Sequence, residues 1–276
     1  MGEIMSRLSL GILSWRAHAT LRKTLDSYTK ADLGAAVDEK VIFFNEISDE
    51  DRAIAAEYGY KATGDVKNLG LLEGTAALAR ELQGEYLLML QNDCPVCVTG
   101  KEAGSYLKSA VKLLSEGKAD IVRCRSRRNV GEGFSDILGY NRYWGRGILP
   151  LLRRILRPAK ARRMIGRSPY VLKEPQLRFP RFVKKVDGFL ILDSSIINFT
   201  DQPFLIRKDF FLELLSYAST HPSHRTLHGF QVVEICLNCR WWRKQHFKIA
   251  VGEGCFTHNR FDDSFRKEHH AYNANI

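Results

Sequence analysis

Short apolar runs and amphipathic stretches alternate along the first half of the sequence. The apolar runs predict strands at residues 8–15, 40–46, 60–63, 85–90 and 120–124. Between them, apolar residues recur at helical spacing over residues 17–30, 49–58, 69–82 and 104–116. Strand and helix in this order predict an α/β fold with a mostly parallel sheet flanked by helices.

The second half of the sequence is less regular. The alternation breaks between residues 127 and 180, and it resumes with a predicted helix at 231–244 and a strand at 247–251. No run of 18 apolar residues occurs, so we expect no transmembrane helix.

The residues that end the predicted strands are the first candidates for a site. Ligands of such sheets bind beyond the carboxyl ends of the strands, which directs attention to Trp15, Glu46, Asn92, Asp93 and Arg125. Asp93 follows an apolar strand, where a carboxylate can hold Mg²⁺ or Mn²⁺ while phosphate supplies further oxygens. A plain turn is the alternative, because Asn-Asp before a loop with proline is also common turn chemistry.

The formal net charge of +11 indicates an anionic partner. The charge is concentrated at residues 141–173, which carry ten Lys and Arg residues, no acid, and interleaved Leu, Ile, Tyr and Trp. This composition favours an anionic membrane surface over nucleic acid, since a phosphate-binding arm would not need the apolar residues. A solvated insertion is the remaining interpretation.

Six cysteines include two Cys-x-x-Cys units, Cys94–Cys97 and Cys236–Cys239. Four thiolates in two such units are typical of zinc sites, although the separation is far longer than that of a zinc ribbon. Cys236 and Cys239 also fall within the predicted late helix, where core packing would explain them equally well. Reduced thiols are expected, in keeping with a cytoplasmic protein that can bind the inner face of the membrane.

Several of these segments together resemble one enzyme group. Residues 8–15 and 41–46, Asn68-Leu69-Gly70 with the helix after it, Gly84-Glu85-Tyr86 and 87–95 are similar to the amino-terminal half of the glycosyltransferase family 2 group, which has the GT-A fold. The similarity covers about residues 6–126, and a weaker one covers 186–258. It implies one GT-A-like domain over residues 1–276, with a donor-binding half at 6–126, the basic insertion at 127–180 and an acceptor-side half at 181–260.

The resemblance also implies an activity and a donor site. The protein would transfer a sugar from a nucleotide-sugar donor to a glycan or lipid-linked acceptor, with inversion, in cell-surface polysaccharide or lipopolysaccharide synthesis. Glu46 would contact the base or ribose, Asn68 and Asn92 would lie at the donor, and Asp93 with His258 would hold Mg²⁺ or Mn²⁺. The group usually has Asp-x-Asp where this sequence has Gln91-Asn92-Asp93.

The acceptor side departs further from the resemblance. The group usually carries Glu-Asp at the start of the late helix, and the corresponding positions here are Gln231 and Val232. The carboxylate that accepts the acceptor's proton would then be Glu234 or Asp201. Because expected acids are missing, a non-catalytic nucleic-acid- or membrane-binding protein on the same fold is the alternative.

Overall fold

A computed structural model describes residues 7–132 and 136–259. Its first half alternates strands and helices as the sequence predicts. The elements in chain order are β1 (Leu8–Ser14), α1 (His18–Lys30), β2 (Glu39–Asn45), α2 (Asp49–Glu57), β3 (Lys61–Asp65), α3 (Gly70–Glu81), β4 (Tyr86–Gln91), α4 (Gly100–Ser115) and β5 (Ile121–Arg125).

The remaining elements include several that the hydrophobic pattern does not predict. Four helices follow β5, namely α5 (Asp136–Trp144), α6 (Ile148–Leu156), α7 (Pro158–Met164) and α8 (Pro175–Arg178). The chain then returns to the sheet through β6 (Val183–Val186), β7 (Phe189–Asp193), β8 (Phe204–Arg207), α9 (Lys208–Thr220), α10 (Val233–Leu237), α11 (Arg240–Gln245) and β9 (Lys248–Phe256).

In the described residues, nine strands form one sheet in the order β3-β2-β1-β4-β8-β5-β9-β7-β6. Strands β1 to β5, β6 and β9 run in one direction, whereas β7 and β8 run opposite to it. The carboxyl ends of β1, β2, β4 and β5 therefore share one edge of the sheet with the beginning of β8. This arrangement confirms the predicted α/β class and its mostly parallel strand direction.

Both faces of the sheet are buried, as apolar central strands require. Along β4, Leu88 and Leu90 pack with α1, α2 and α4. Leu87 and Met89 pack with α3, α9, α10 and α11. Successive side chains of a strand point to opposite faces, so one apolar run serves two cores.

Two predicted helices differ from those observed. Helix α4 begins at Gly100 rather than at 104, because Thr99 and Glu102 form a reciprocal capping box. The predicted helix at 231–244 is wrong as one element: it is split into α10 and α11. Asn238 interrupts it by exchanging hydrogen bonds with the backbone N–H and C=O of Phe199, at 2.7 and 3.0 Å. Among the described residues, no helix has both the length and the apolar character needed to cross a bilayer.

Candidate active site

Asp93 and His258 meet at the carboxyl end of β4. The loop after Asp93 and the end of β9 are joined by backbone hydrogen bonds, from Asn259 N to Asp93 O and from Thr257 N to Pro95 O, both 2.9 Å. This pairing brings His258 Nε2 within 3.0 Å of Asp93 Oδ2. Both side chains are almost fully buried, with exposures of 4% and 8%.

The donor atoms of this pair suit a divalent metal. His258 Nε2 is buried and faces Asp93 Oδ2, whereas Nδ1 lies 3.2 Å from the carbonyl oxygen of Glu132. A proton on Nδ1 satisfies that carbonyl and leaves the lone pair on Nε2 directed toward Asp93, the tautomer that a metal ligand needs. Gln91, at the position of the missing acid, contributes no carboxylate. Asp93 and His258 therefore fit Mg²⁺ or Mn²⁺ as two protein ligands.

Glu46 lies at the end of β2 against the end of β1. Its carboxylate accepts a hydrogen bond of 2.6 Å from Trp15 Nε1 and pairs with Arg16 at 2.9 Å. Glu46 has a positive φ of 60°, uncommon outside glycine, which turns the chain directly after the strand. The sequence offered Trp15 only as a strand end, and the structure shows it orienting the predicted base-contacting acid.

The two asparagines predicted at the donor have visible local roles. Asn68 Oδ1 accepts from Gly70 N at 2.8 Å, which shapes the turn into α3. Gly70 has a φ of 76°, and a Cβ there would meet the ring of Phe230 at 2.5 Å. Asn92 Nδ2 donates to Ser14 Oγ at 3.3 Å, joining the ends of β1 and β4. Both side chains are only partly buried and lie at the shared edge.

Asp201 and Glu234 come together just before β8. Each backbone N–H points to the partner's carboxylate, with distances of 3.5 Å from Asp201 N to Glu234 Oε2 and 3.4 Å from Glu234 N to Asp201 Oδ2. Burial, followed by the negative charge of Glu234, raises the pKa of Asp201 to about 8. Asp201 therefore keeps its proton near neutral pH beside the Glu234 carboxyl, and a strongly shifted pKa of this kind is typical of acid–base sites.

Arg125, at the end of β5, links the two acidic sites. Its guanidinium donates to the carbonyl oxygens of Val130 and Glu132 at 2.6 and 2.8 Å, and to Gln202 Oε1 at 3.2 Å. Glu132 is the residue whose carbonyl contacts His258, and Gln202 follows Asp201. The buried side chain of Arg125 therefore connects the backbone at Glu132, which contacts His258, to Gln202, which follows Asp201.

Gln231, one of the two residues at the positions of the missing Glu-Asp, has a structural role. Its side-chain amide donates to the carbonyl oxygen of Ser223 and accepts from the N–H of Ser223, both at 2.9 Å. It also accepts from Cys236 Sγ at 3.2 Å. An uncharged amide can make both Ser223 contacts, whereas a carboxylate cannot donate.

The four Cys-x-x-Cys thiols do not form one metal site. Within residues 7–132 and 136–259, no group of three or more His, Cys, Asp or Glu side chains could hold a metal ion together. Cys239 begins α11 and lies 3.7 Å from Tyr217 Oη, so Cys236 and Cys239 do not share a helix as expected. Cys94 is fully buried.

A cavity of about 730 Å³ lies beside Glu234. It lies between the end of β5, the segment from α7 to Tyr170, and the helices α10 and α11. Six arginines line it, and sequence reasoning missed this role because Arg163 and Arg167 belong to the basic segment that pointed to a membrane. The segment in fact divides: α6 is exposed, and these two arginines reach the cavity.

Solved structures with a similar architecture are glycosyltransferases. One is S. aureus TarS 1–349 in complex with UDP-GlcNAc, with a TM-score of 0.51 and 15% identity, over 93% of this chain and 59% of that one. Another is GalNAc-T7 with UDP, GalNAc and Mn²⁺, with a TM-score of 0.52 and 16% identity, over 91% of this chain and 43% of that one. A third is the mannosyltransferase PcManGT from Pyrobaculum calidifontis in complex with GDP-Man and Mn²⁺. Its TM-score is 0.51 and its identity 10%, over 95% of this chain and 59% of that one.

These likenesses establish the fold. The chain has the GT-A fold, which confirms the expectation from the sequence motifs. It spans less than two thirds of the length of each of the three structures. No protein-family model matches the sequence, and no curated protein matches it.

Proposed function

We propose that the protein is a glycosyltransferase that moves a sugar from a nucleotide-sugar donor to an acceptor hydroxyl, with inversion at the anomeric carbon. The observation that carries this proposal is the pairing of Asp93 with His258, 3.0 Å apart at the carboxyl end of β4 in a GT-A fold. The structural neighbours named above hold nucleotides or nucleotide sugars, two of them with Mn²⁺.

The donor would lie along the ends of β1, β2 and β4. Glu46 would accept hydrogen bonds from the base or ribose, and Asn68 and Asn92 would border the nucleotide. Asp93 and His258 would hold Mg²⁺ or Mn²⁺, which when bound neutralises negative charge on the departing diphosphate.

Glu234 is the better placed of the two candidate bases, because it lines the cavity, whereas Asp201 is not part of the described lining. In the transfer, the acceptor oxygen forms a bond to the anomeric carbon as the bond from that carbon to the diphosphate oxygen breaks. The hydroxyl proton passes to the Glu234 carboxylate. Asp201 would act through Glu234, because the two residues contact each other.

Nucleotide binding and donor hydrolysis test this proposal. Thermal unfolding with UDP, GDP and a panel of sugar nucleotides, with and without Mn²⁺, should show stabilisation by one nucleotide class, because a ligand of the native state stabilises it by mass action. Slow release of nucleotide diphosphate from one donor would support the enzyme. A protein that binds and hydrolyses none of them would instead fit the non-catalytic alternative.

We further propose that α6 attaches the protein to an anionic membrane, where a lipid-linked acceptor for cell-surface polysaccharide or lipopolysaccharide synthesis would be found. None of its nine residues is buried, and six are aliphatic with exposures between 45% and 76%. Arg142, Arg146, Arg153 and Arg157 surround these residues, and no acid occurs in residues 141–173. Charge complementarity therefore favours anionic lipid over a second protein surface.

Vesicle binding tests the membrane proposal. Leu149 and Leu156 are seven positions apart and share a face of α6, so we expect Leu149→Ser with Leu156→Ser to weaken binding to vesicles containing phosphatidylglycerol at least tenfold. The matched control is Val66→Ser, which alters an apolar residue with 82% exposure outside the basic segment. If the double variant binds vesicles normally, or if its main effect is to dissociate a dimer, α6 is not a membrane anchor.

A further inference from the structure

The cavity beside Glu234 has an unusual balance of charge. Six guanidinium groups line it, from Arg123, Arg125, Arg163, Arg167, Arg240 and Arg243, and among the described residues Glu234 is the only carboxylate in the lining. Its volume of about 730 Å³ is that of a small-molecule site. The surplus of positive charge indicates an anionic occupant.

The contacts of the cavity arginines reinforce this. Two of these arginines donate hydrogen bonds to Asn198. Its carbonyl oxygen accepts from Arg123 at 2.5 Å, and its Oδ1 accepts from Arg243 at 2.8 Å. Within the described part of the chain, Arg123, Arg163, Arg240 and Arg243 form no salt bridge with a carboxylate. The arginines that do so there include Arg16, Arg22, Arg127, Arg128 and Arg207, which are not in the cavity lining.

Neutral groups of Asn198 orient Arg123 and Arg243 without neutralising them. Burial, and then the like charge of Arg163, lowers the pKa of Arg243. Holding partly buried like charges near one another costs stability, and an anion bound among them would offset that cost.

We propose that this cavity binds a phosphate or diphosphate group of the acceptor and so positions the acceptor hydroxyl beside Glu234. The proposal rests on the glycosyl transfer proposed above and adds the chemical class of its acceptor. Phosphate is the fitting anion because planar guanidinium groups bind its oxygens in pairs, and several can share one phosphate. Asp93 and His258, which would serve the donor, are not in the cavity lining.

Anion binding measured in the absence of metal reports on this cavity separately from the donor site. Titration calorimetry with inorganic phosphate in EDTA would compare the wild type with Arg163→Gln/Arg243→Gln, and with the single variant Arg240→Gln. The matched control is Arg52→Gln, an exposed arginine of α2. We expect the double variant to bind phosphate at least tenfold more weakly, Arg240→Gln to bind it measurably more weakly, and the control to be unchanged.

A parallel titration with UDP or GDP and Mn²⁺ separates the two proposals. Variants that bind nucleotide like the wild type are folded, so that their loss of phosphate binding is specific to the cavity. A wild type that binds phosphate through these arginines yet binds no nucleotide would contradict the proposed function alone. Equal phosphate affinity in the wild type, the double variant and Arg240→Gln would overturn the anionic cavity.

Two further titrants identify the source of the phosphate. Phosphatidylcholine vesicles carrying a polyprenyl phosphate present it on a lipid, and glucose 6-phosphate presents it in solution. The titrant that binds more tightly identifies the acceptor as lipid-linked or soluble. The double variant must lose that binding in either case, and retained binding would count against the cavity as the phosphate site.

Discussion

Replacing Asp201 by asparagine tests whether its carboxyl group stabilises the fold or is kept for acid–base chemistry at a cost in stability. The substitution keeps the size of the side chain and an oxygen that can accept from the backbone N–H of Glu234, now 3.4 Å from Asp201 Oδ2. It removes the ionisable group that faces the Glu234 carboxylate. Most substitutions destabilise a folded protein, but here we expect the folded protein to become more stable.

The magnitude follows from the raised pKa. At pH 7 the unfolded Asp201, with an ordinary pKa of 3.8, has lost its proton, whereas the folded group, with a pKa of about 8, retains it. The difference of roughly three units between pH 7 and the unfolded pKa corresponds to about 4 kcal/mol of folding free energy. The wild type is less stable by this amount because its folded state keeps Asp201 protonated, and the asparagine variant does not carry this cost. We therefore expect Asp201→Asn to raise the free energy of unfolding at pH 7 by an amount on the order of a few kcal/mol.

The raised pKa also predicts how the stability difference between variant and wild type changes with pH. A group with a raised folded-state pKa contributes stability that is complete below its unfolded pKa and is lost as the pH rises through the folded pKa. The stability difference between Asp201→Asn and the wild type should therefore be small at pH 4 and widen up to pH 8. Urea unfolding at several pH values across this interval measures it.

Asp193→Asn is the matched control with the opposite sign. Burial opposes the ionisation of Asp193, but hydrogen bonds from Ser195 and His246 outweigh it and lower the pKa. Its contribution is present above the unfolded pKa and lost as the pH falls, so asparagine there should destabilise at neutral pH. If Asp201→Asn destabilises at every pH, or follows the wild type in parallel, the raised pKa of Asp201 is refuted.

Three other substitutions examine the candidate site. Glu234→Gln should lower turnover with donor and acceptor by roughly 100-fold or more while nucleotide affinity is kept, and near-normal turnover would eliminate Glu234 as the base. Asp93→Asn should abolish the additional thermal stabilisation that Mn²⁺ gives in the presence of nucleotide; an unchanged Mn²⁺ effect would place the metal elsewhere. His258→Gln should weaken Mn²⁺ binding about 10-fold or more, seen in the electron paramagnetic resonance of titrated Mn²⁺, because a weaker ligand replaces the Nε2 lone pair; equal affinity would remove His258 from the metal site.

The central strands were predictable because each is an apolar run buried on both faces. Residues 85–90, for instance, predict β4 to within one residue, and the position of Asp93 at its carboxyl end follows directly. Strands β6 and β7 were missed because they are short and lie near the edge of the sheet. Asp187 and Gly188, both with positive φ, form the tight turn of that hairpin and were a usable signal.

The site was partly predictable for a similar reason. Glu234 and Asp201 are 33 positions apart, and the sequence indicated both as candidate bases without showing that they meet. Their contact depends on α10 packing beside the start of β8, a tertiary relation that no local pattern encodes. The cavity arginines other than Arg125 were missed because they come from three separate segments, and the charge of each one alone is typical of a solvated surface.

The position of Arg125 means that the two halves of the site are not independent. Its single guanidinium is shared among the carbonyl of Glu132, which supports His258, the carbonyl of Val130 and the side chain of Gln202. Any event that shifts one of these groups changes the hydrogen bonds left for the others. Donor and acceptor affinities should therefore be thermodynamically coupled through this residue, with each ligand changing the other's binding constant by the same factor.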